Sequence, residues 1–221
     1  MKPRLPRRAI AAAVLSLAVV ASTTACRVEQ GAAIFVGDTR IAESEVSQLV
    51  DSLDSENLTG VGDLRAAIVE ALVVVEVGKR IAEDTGATPD RDKEGQLLEQ
   101  LSQMNRLPKD NPVIRLLAEK EAYRPLLVAK ADPVDPTEHD VDAMSANVAD
   151  AIGGKVTPEI RAGIVADLES ETGRELTGQR HQVLDYFTDY DVSVNPRFGE
   201  TSVVIYADQQ NNPIITAPIP Q

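Results

Sequence analysis

From Leu64 to Glu83 the chain reads LRAAIVEALVVVEVGKRIAE. Leu64, Ala67, Ile68, Ala71, Leu72, Val75, Ile81 and Ala82 recur there at steps of three and four, the period of a helix. Val69, Val73, Val74 and Val77 fill most of the opposite face. A helix apolar nearly all round has to be covered on nearly all sides. Arg65, Glu70, Glu76, Lys79 and Arg80 break the run well short of the ~18 uncharged residues a membrane span needs. The pattern therefore predicts a central helix wrapped by the others. Each fully buried Val or Leu contributes roughly 1.5–3 kcal/mol, so this one element supplies much of the core.

Before it, Ala32–Val36 (AAIFV) is a strand candidate, Gly37-Asp38 a turn dipeptide, and Thr39–Ile41 a returning strand. Val46, Leu49, Val50 and Leu53 then fall at helical spacing behind an acidic start, and NLTGVG (57–62) reads as a loop. After the central helix, Gly86 suits a C-terminal cap. Thr88-Pro89, Asn111-Pro112, Asp135-Pro136 and Thr157-Pro158 each place a capping residue before a proline, which lacks the N–H that the first helical turn leaves orphaned. Asp135 and Glu138 complete a capping box. The predicted helices are 89–105, 112–131, 136–152, 158–172 and 174–189, with Gly153-Gly154 and Gly173 as breaks. Asp191–Phe198 alternates as a strand does, Thr201–Tyr206 is a second strand candidate, and residues 207–221 read as a mobile tail. Neither terminal strand is stable alone, so Ala32–Val36 and Asp191–Phe198 are expected to pair, with Thr39–Ile41 and Val203–Tyr206 beside them. The predicted class is mainly α: a helical bundle around a central apolar helix, with a small β-sheet joining the N- and C-terminal strands.

The 221 residues fit one or two domains. With four Tyr, three Phe and no Trp, the core has to be built from Ala, Val, Leu and Ile. Five of these seven aromatics lie between Tyr186 and Tyr206 and are read as plugging one end of the core. Residues 1–25 have the layout of an export signal, with Lys2, Arg4, Arg7 and Arg8 ahead of an apolar stretch from Ile10 to Val20. Removing them takes the formal charge from −13 to −17, because they hold four basic and no acidic residues. Such acidity argues against nucleic acid and against electrostatic adhesion to an anionic membrane. Cys26 is the only cysteine, so it cannot close an internal disulfide. The segment Thr23-Thr24-Ala25-Cys26 resembles a bacterial lipobox. That resemblance implies lipidation of Cys26 (palmitate among the acyl chains), a tether over 26–31 and an extracytoplasmic, membrane-anchored protein. The alternatives are an ordinary secretory peptide and an uncleaved anchor.

Two stretches, IFVGDTRIAESEVSQLV with RAAIVEALVVVEVGKRIAEDTGATPD, and VSVNPRFG, together resemble the SurA-like N-terminal chaperone domain. This domain is shared in outline by SurA, PrsA-type foldases and the C-terminal module of trigger factor. The resemblance implies a chaperone body over 32–206. Many relatives insert a parvulin-type prolyl isomerase domain between the helices. Here 90–135 is filled by two predicted helices and their links, so no isomerase activity is expected.

No His-x-x-x-His zinc pattern, Walker loop, Gly-x-Ser-x-Gly elbow or calcium loop occurs, and the chain is not read as an enzyme. No metal or cofactor is expected. His139, in DPTEHDVD, sits among carboxylates that helix capping already explains, and His181 is read as a surface residue. A hydrolase whose site leaves no trace in one sequence stays open as a minor alternative. The leading expectation is a chaperone-like lipoprotein that shields non-native segments of exported proteins in an apolar groove, with Met104, Leu107, Ile114 and Leu117 as candidate client-binding residues. The rival is a structural or adaptor lipoprotein docking one envelope partner.

Overall fold

The computed structural model describes residues 31–53, 63–129 and 131–221. Cys26, the signal segment and the expected 57–62 loop lie outside them. The described chain runs β1 (Ala32–Val36), β2 (Thr39–Ala42), α1 (Glu43–Asp51), α2 (Leu64–Thr85), α3 (Arg91–Asn105), α4 (Pro112–Val128), α5 (Glu138–Ile152), α6 (Pro158–Glu169), α7 (Glu171–Asp189), β3 (Val192–Val194), a 3-10 turn (Pro196–Phe198), β4 (Ser202–Ala207) and β5 (Pro213–Pro218). It is mainly α, with strands from both ends of the chain meeting in one small sheet.

The helix α2 is the centre. Asp63 caps it by accepting the N–H groups of Arg65 (2.9 Å) and Ala66 (3.2 Å), and Gly86 closes it at φ 71°. Ile68, Val69, Ala71, Leu72, Val73, Val74, Val75 and Val77 are all buried, so both the predicted stripe and the face opposite it are covered. The most extensive cover is α4, which comes close enough to require Gly78. A Cβ there would lie 2.7 Å from Tyr123 Cβ. At the other end Arg80 reaches into the first hairpin, donating to the Val36 carbonyl (2.5 Å) and to Thr39 Oγ1 (3.1 Å) over Gly37.

The sheet is ordered β2-β1-β3, all antiparallel, with Ile34 opposite Val194 and Val36 opposite Val192. The expected pairing of the chain ends is present, and Asn195 extends it by donating to the carbonyls of Ala33 (backbone N, 2.8 Å) and Ala32 (side chain, 3.0 Å).

Several boundaries differ from the sequence expectation. The cap of α3 is Asp90, which accepts Lys93 N–H at 2.9 Å, so Thr88-Pro89 leads in without capping. Thr137, not Asp135, caps α5, and the second member of its box is Asp140, not Glu138. The displacement follows from burial: Asp140 is 4% exposed and tied to α7, whereas Asp135 and Glu138 face solvent. Gly173 is no break but the third residue of α7. A Cβ on it would collide with the backbone of Asp167 and Leu168, and one on Gly178 with the carbonyl of Asp132. These glycines let α7 lie directly on α6 and on the segment before α5. Residues 207–221 do not form a free tail. They carry β5, with Ala217 fully buried and Ile219 4% exposed. β4 pairs with β5 alone, not with the terminal sheet.

A two-stranded ribbon is marginal by itself. Here side chains from the helices bond backbone groups on both outer edges. On the β4 side Glu70 accepts Val204 N–H (3.3 Å), and Arg124 donates to the carbonyls of Val204 and Ile205. On the β5 side Asn147 donates to the Ile214 carbonyl (3.1 Å) and Arg180 to the Thr216 carbonyl (2.9 Å). Four helices thus supply partners to edge groups that would otherwise be open to pairing. Beyond β5, Pro220 accepts Val194 N–H at 2.7 Å, joining the ribbon to β3.

A candidate binding groove

The apolar side chains form two clusters. The larger surrounds α2, and the smaller consists of Val141, Ile164, Leu168 and Ile215, with Met144, Leu176 and others packed on it. The smaller cluster opens to the surface. Its outer side is a groove of about 260 Å³ lined by Met144 of α5, Leu168 of α6, Leu176 of α7 and Tyr206 and Ile215 of the ribbon, with Asp167, Ser170, Thr172 and Gly173 along one wall. Tyr206 is 47% exposed at its mouth, although a tyrosine ring carries a large apolar area.

The wall is built at one residue. Ser170 ends α6 and starts α7, donating its hydroxyl to the Asp167 carbonyl (2.6 Å) and accepting Gly173 N–H (3.0 Å). The next turn has to pass against Leu168, which only a glycine at 173 permits. Around this corner Asp167, Glu169, Glu171 and Glu175 are exposed. The one base among them, Arg174, lies 3.9 Å from Asp135. Of these carboxylates, only Asp167 lines the groove.

Behind the groove sits a buried ionic knot. Arg180 Nη1 donates to Asp140 Oδ1 at 2.6 Å, with the two side chains only 4% and 3% exposed. Thr137 donates to Asp140 Oδ2 from its hydroxyl (2.6 Å) and its backbone N–H (2.9 Å), and His181 Nε2 lies 3.0 and 3.1 Å from the two carboxylate oxygens. Burial alone would raise the Asp140 pKa, but the Thr137 donors and His181 outweigh it and hold the carboxyl below its ordinary 3.8. The order of contacts is hydroxyl, carboxylate, imidazole. Activation of a hydroxyl needs the imidazole in the middle. The knot instead ties the start of α5 to α7, and Arg180 carries the tie on to β5. It shares Met144, Leu168 and Ile215 with the groove through a small cavity of about 10 Å³ that Asp140 and Arg180 also line.

The four residues singled out as client-binding do not form a common surface. Met104 is 49% exposed on α3, beside Gln96, Gln100 and Gln103. Leu107 and Leu117 are half-buried and packed on the main core. Ile114 is fully buried and cannot meet a client, because the first turn of α4 faces inward at Val113 and Ile114. His139 is exposed. His181 is only partly so and belongs to the knot, a role its neighbours in sequence do not announce. The groove itself escaped sequence reasoning because its apolar residues come from four separate elements. The one local signal is Tyr206, an aromatic at the end of a short strand. Among the described residues no group of three His, Cys, Asp or Glu side chains is placed to hold a metal, and no helix is long and apolar enough to cross a membrane. No protein-family model, curated protein or solved structure matches the chain.

Proposed function

We propose that the protein is an extracytoplasmic, lipid-anchored, chaperone-like binding protein that shields apolar segments of non-native exported chains, without isomerase activity. The observation that carries this reading is the groove between α5, α6, α7 and the ribbon, where Tyr206 is half-exposed and Met144 and Leu176 are partly exposed above the buried Leu168 and Ile215. Its volume of about 260 Å³ suits one or two side chains, not a folded partner. Transient shielding needs no reactive group, only accessible apolar surface beside a solvating rim. The lipobox-like segment ending at Cys26 and the SurA-like pattern of strand, turn and paired helices support the same reading. The stretch in which relatives of that type insert an isomerase domain is taken up by α3 and α4.

The test is suppression of aggregation. Several unrelated proteins diluted from denaturant should scatter less light in the presence of the full chain, and Tyr206→Ser should weaken that protection. Protection of none of them, together with recovery of a single stoichiometric envelope partner, would replace the chaperone by the adaptor.

A further inference from the structure

We infer that the small cavity beside the ionic knot is a binding site for one ordered water molecule, which accepts from the remaining donor of Arg180 and so completes the knot. Two separate observations carry the inference, and neither depends on what the protein binds at its surface. The first is an unmet buried donor. With the Arg180 side chain only 4% exposed, Nε donates to the Thr216 carbonyl at 2.9 Å and Nη1 to Asp140 Oδ1 at 2.6 Å. Nη2 is buried as well, and no acceptor among the described residues meets it. Buried polar groups are seldom left so, and a charged donor least of all, because its lost hydration goes unreplaced. The second is the cavity that Arg180 lines. Its volume of about 10 Å³ is close to the least that holds one water and too small for two.

The lining also has the chemistry a water needs. Purely apolar cavities stay dry, whereas a buried water takes about two to four polar partners. Asp140, Thr177 and Thr216 line the cavity with Arg180. The Thr177 hydroxyl gives its proton to the Gly173 carbonyl at 2.9 Å, which leaves its oxygen to accept. Thr216 Oγ1 accepts from Asn147 at 3.1 Å and keeps its own proton to donate. A water there receives from Arg180 Nη2 and Thr216 and donates to Thr177. An anion is disfavoured, because the Asp140 carboxylate lines the same cavity and already matches the guanidinium. A cation is disfavoured by Arg180 itself.

The test is a high-resolution crystal structure of the full chain, with a second crystal soaked in sodium bromide. One peak is expected in the cavity, within about 2.7–3.2 Å of Nη2, and it should show no bromine anomalous signal after the soak. Oxygen-17 relaxation dispersion of the full chain in solution counts long-lived waters without a crystal. Ala143→Val, which adds methyl groups at the cavity, should hold one fewer than the wild type. Thr177→Val keeps the shape of the side chain but removes the acceptor, and should lose the water or shorten its residence about tenfold. Gly163→Ala, in open space on α6, is the control and should change nothing. No peak beside Nη2, or an unchanged count and residence in both cavity variants, would overturn the inference. An anomalous bromide peak at Nη2 would overturn it too, by making the site one for an anion.

Discussion

The buried knot makes Asp140→Asn the most informative single change. In the native chain the carboxylate accepts from Thr137 twice, from Arg180 at 2.6 Å and from His181 at 3.0 Å. An amide of the same shape offers one oxygen where two were used, and turns an NH₂ toward groups that already donate. Arg180, with its side chain 4% exposed, is left charged without a counter-ion, and its Nη2 already has no hydrogen-bond partner. Breaking one half of a buried pair costs about 3–5 kcal/mol. For a domain of this size 1 kcal/mol is worth about 2–4 °C, so Tm should fall by about 6–20 °C. Circular dichroism melts of the wild type, Asp140→Leu, Arg180→Met and the pair Asp140→Leu with Arg180→Met form a double-mutant cycle, with Asp140→Asn melted beside them. The pair should be less damaged than the sum of its singles, because replacing both ions with apolar groups removes the orphaned charge. The sign with pH follows from the depressed carboxyl. Its stabilisation is present above the ordinary value of 3.8 and is lost as pH falls through the lower folded value. Wild type should therefore lose stability below about pH 4 more steeply than Asp140→Asn does. A Tm change under about 2 °C for Asp140→Asn, or strictly additive effects in the cycle, would refute the account of the knot as a stabilising tie.

Four further outcomes are expected. A chain ending at Asp189 loses β3 and the ribbon, taking Val192, Val194, Val203, Ala217 and Ile219 out of the core, and should not melt cooperatively at the full-length temperature. Val194→Asp should do nearly as much, by burying a charge opposite Ile34. Gly78→Ala gains about 1 kcal/mol of helix propensity, but its methyl would meet Tyr123 Cβ at 2.7 Å. Overpacking of about 1–3 kcal/mol outweighs the gain, so urea unfolding should shift to lower concentration. Cys26→Ser should abolish acylation by mass spectrometry, and acyl chains persisting on the variant would remove the proposed anchor.

Much of the architecture is local chemistry and was legible along the chain. The helix α2 declares itself because it is apolar nearly all round, and such a helix has one stable environment, the middle. Asn111-Pro112 and Thr157-Pro158 start helices as read, since capping needs only the residue and the N–H groups after it. The pairing of β1 with β3 followed from each strand's need for a partner. What failed depended on distant residues. Asp140 outcompetes Glu138 for the cap of α5 because Arg180, forty positions on, holds it in the interior. Gly173 reads as a helix breaker by propensity, yet it sits within α7 because the neighbouring backbone leaves no room for a side chain. Residues 208–221 read as a polar, proline-bearing tail, but within them 213–218 (PIITAP) hold one polar residue, Thr216. These residues form a strand paired with β4 that buries Ile215 and Ala217, with Asn147 and Arg180 donating to its outer carbonyls. The groove belongs to this second kind. Met144, Leu168, Leu176, Tyr206 and Ile215 mean nothing in sequence order, and only the packing of α5, α6 and α7 against the ribbon makes them one surface.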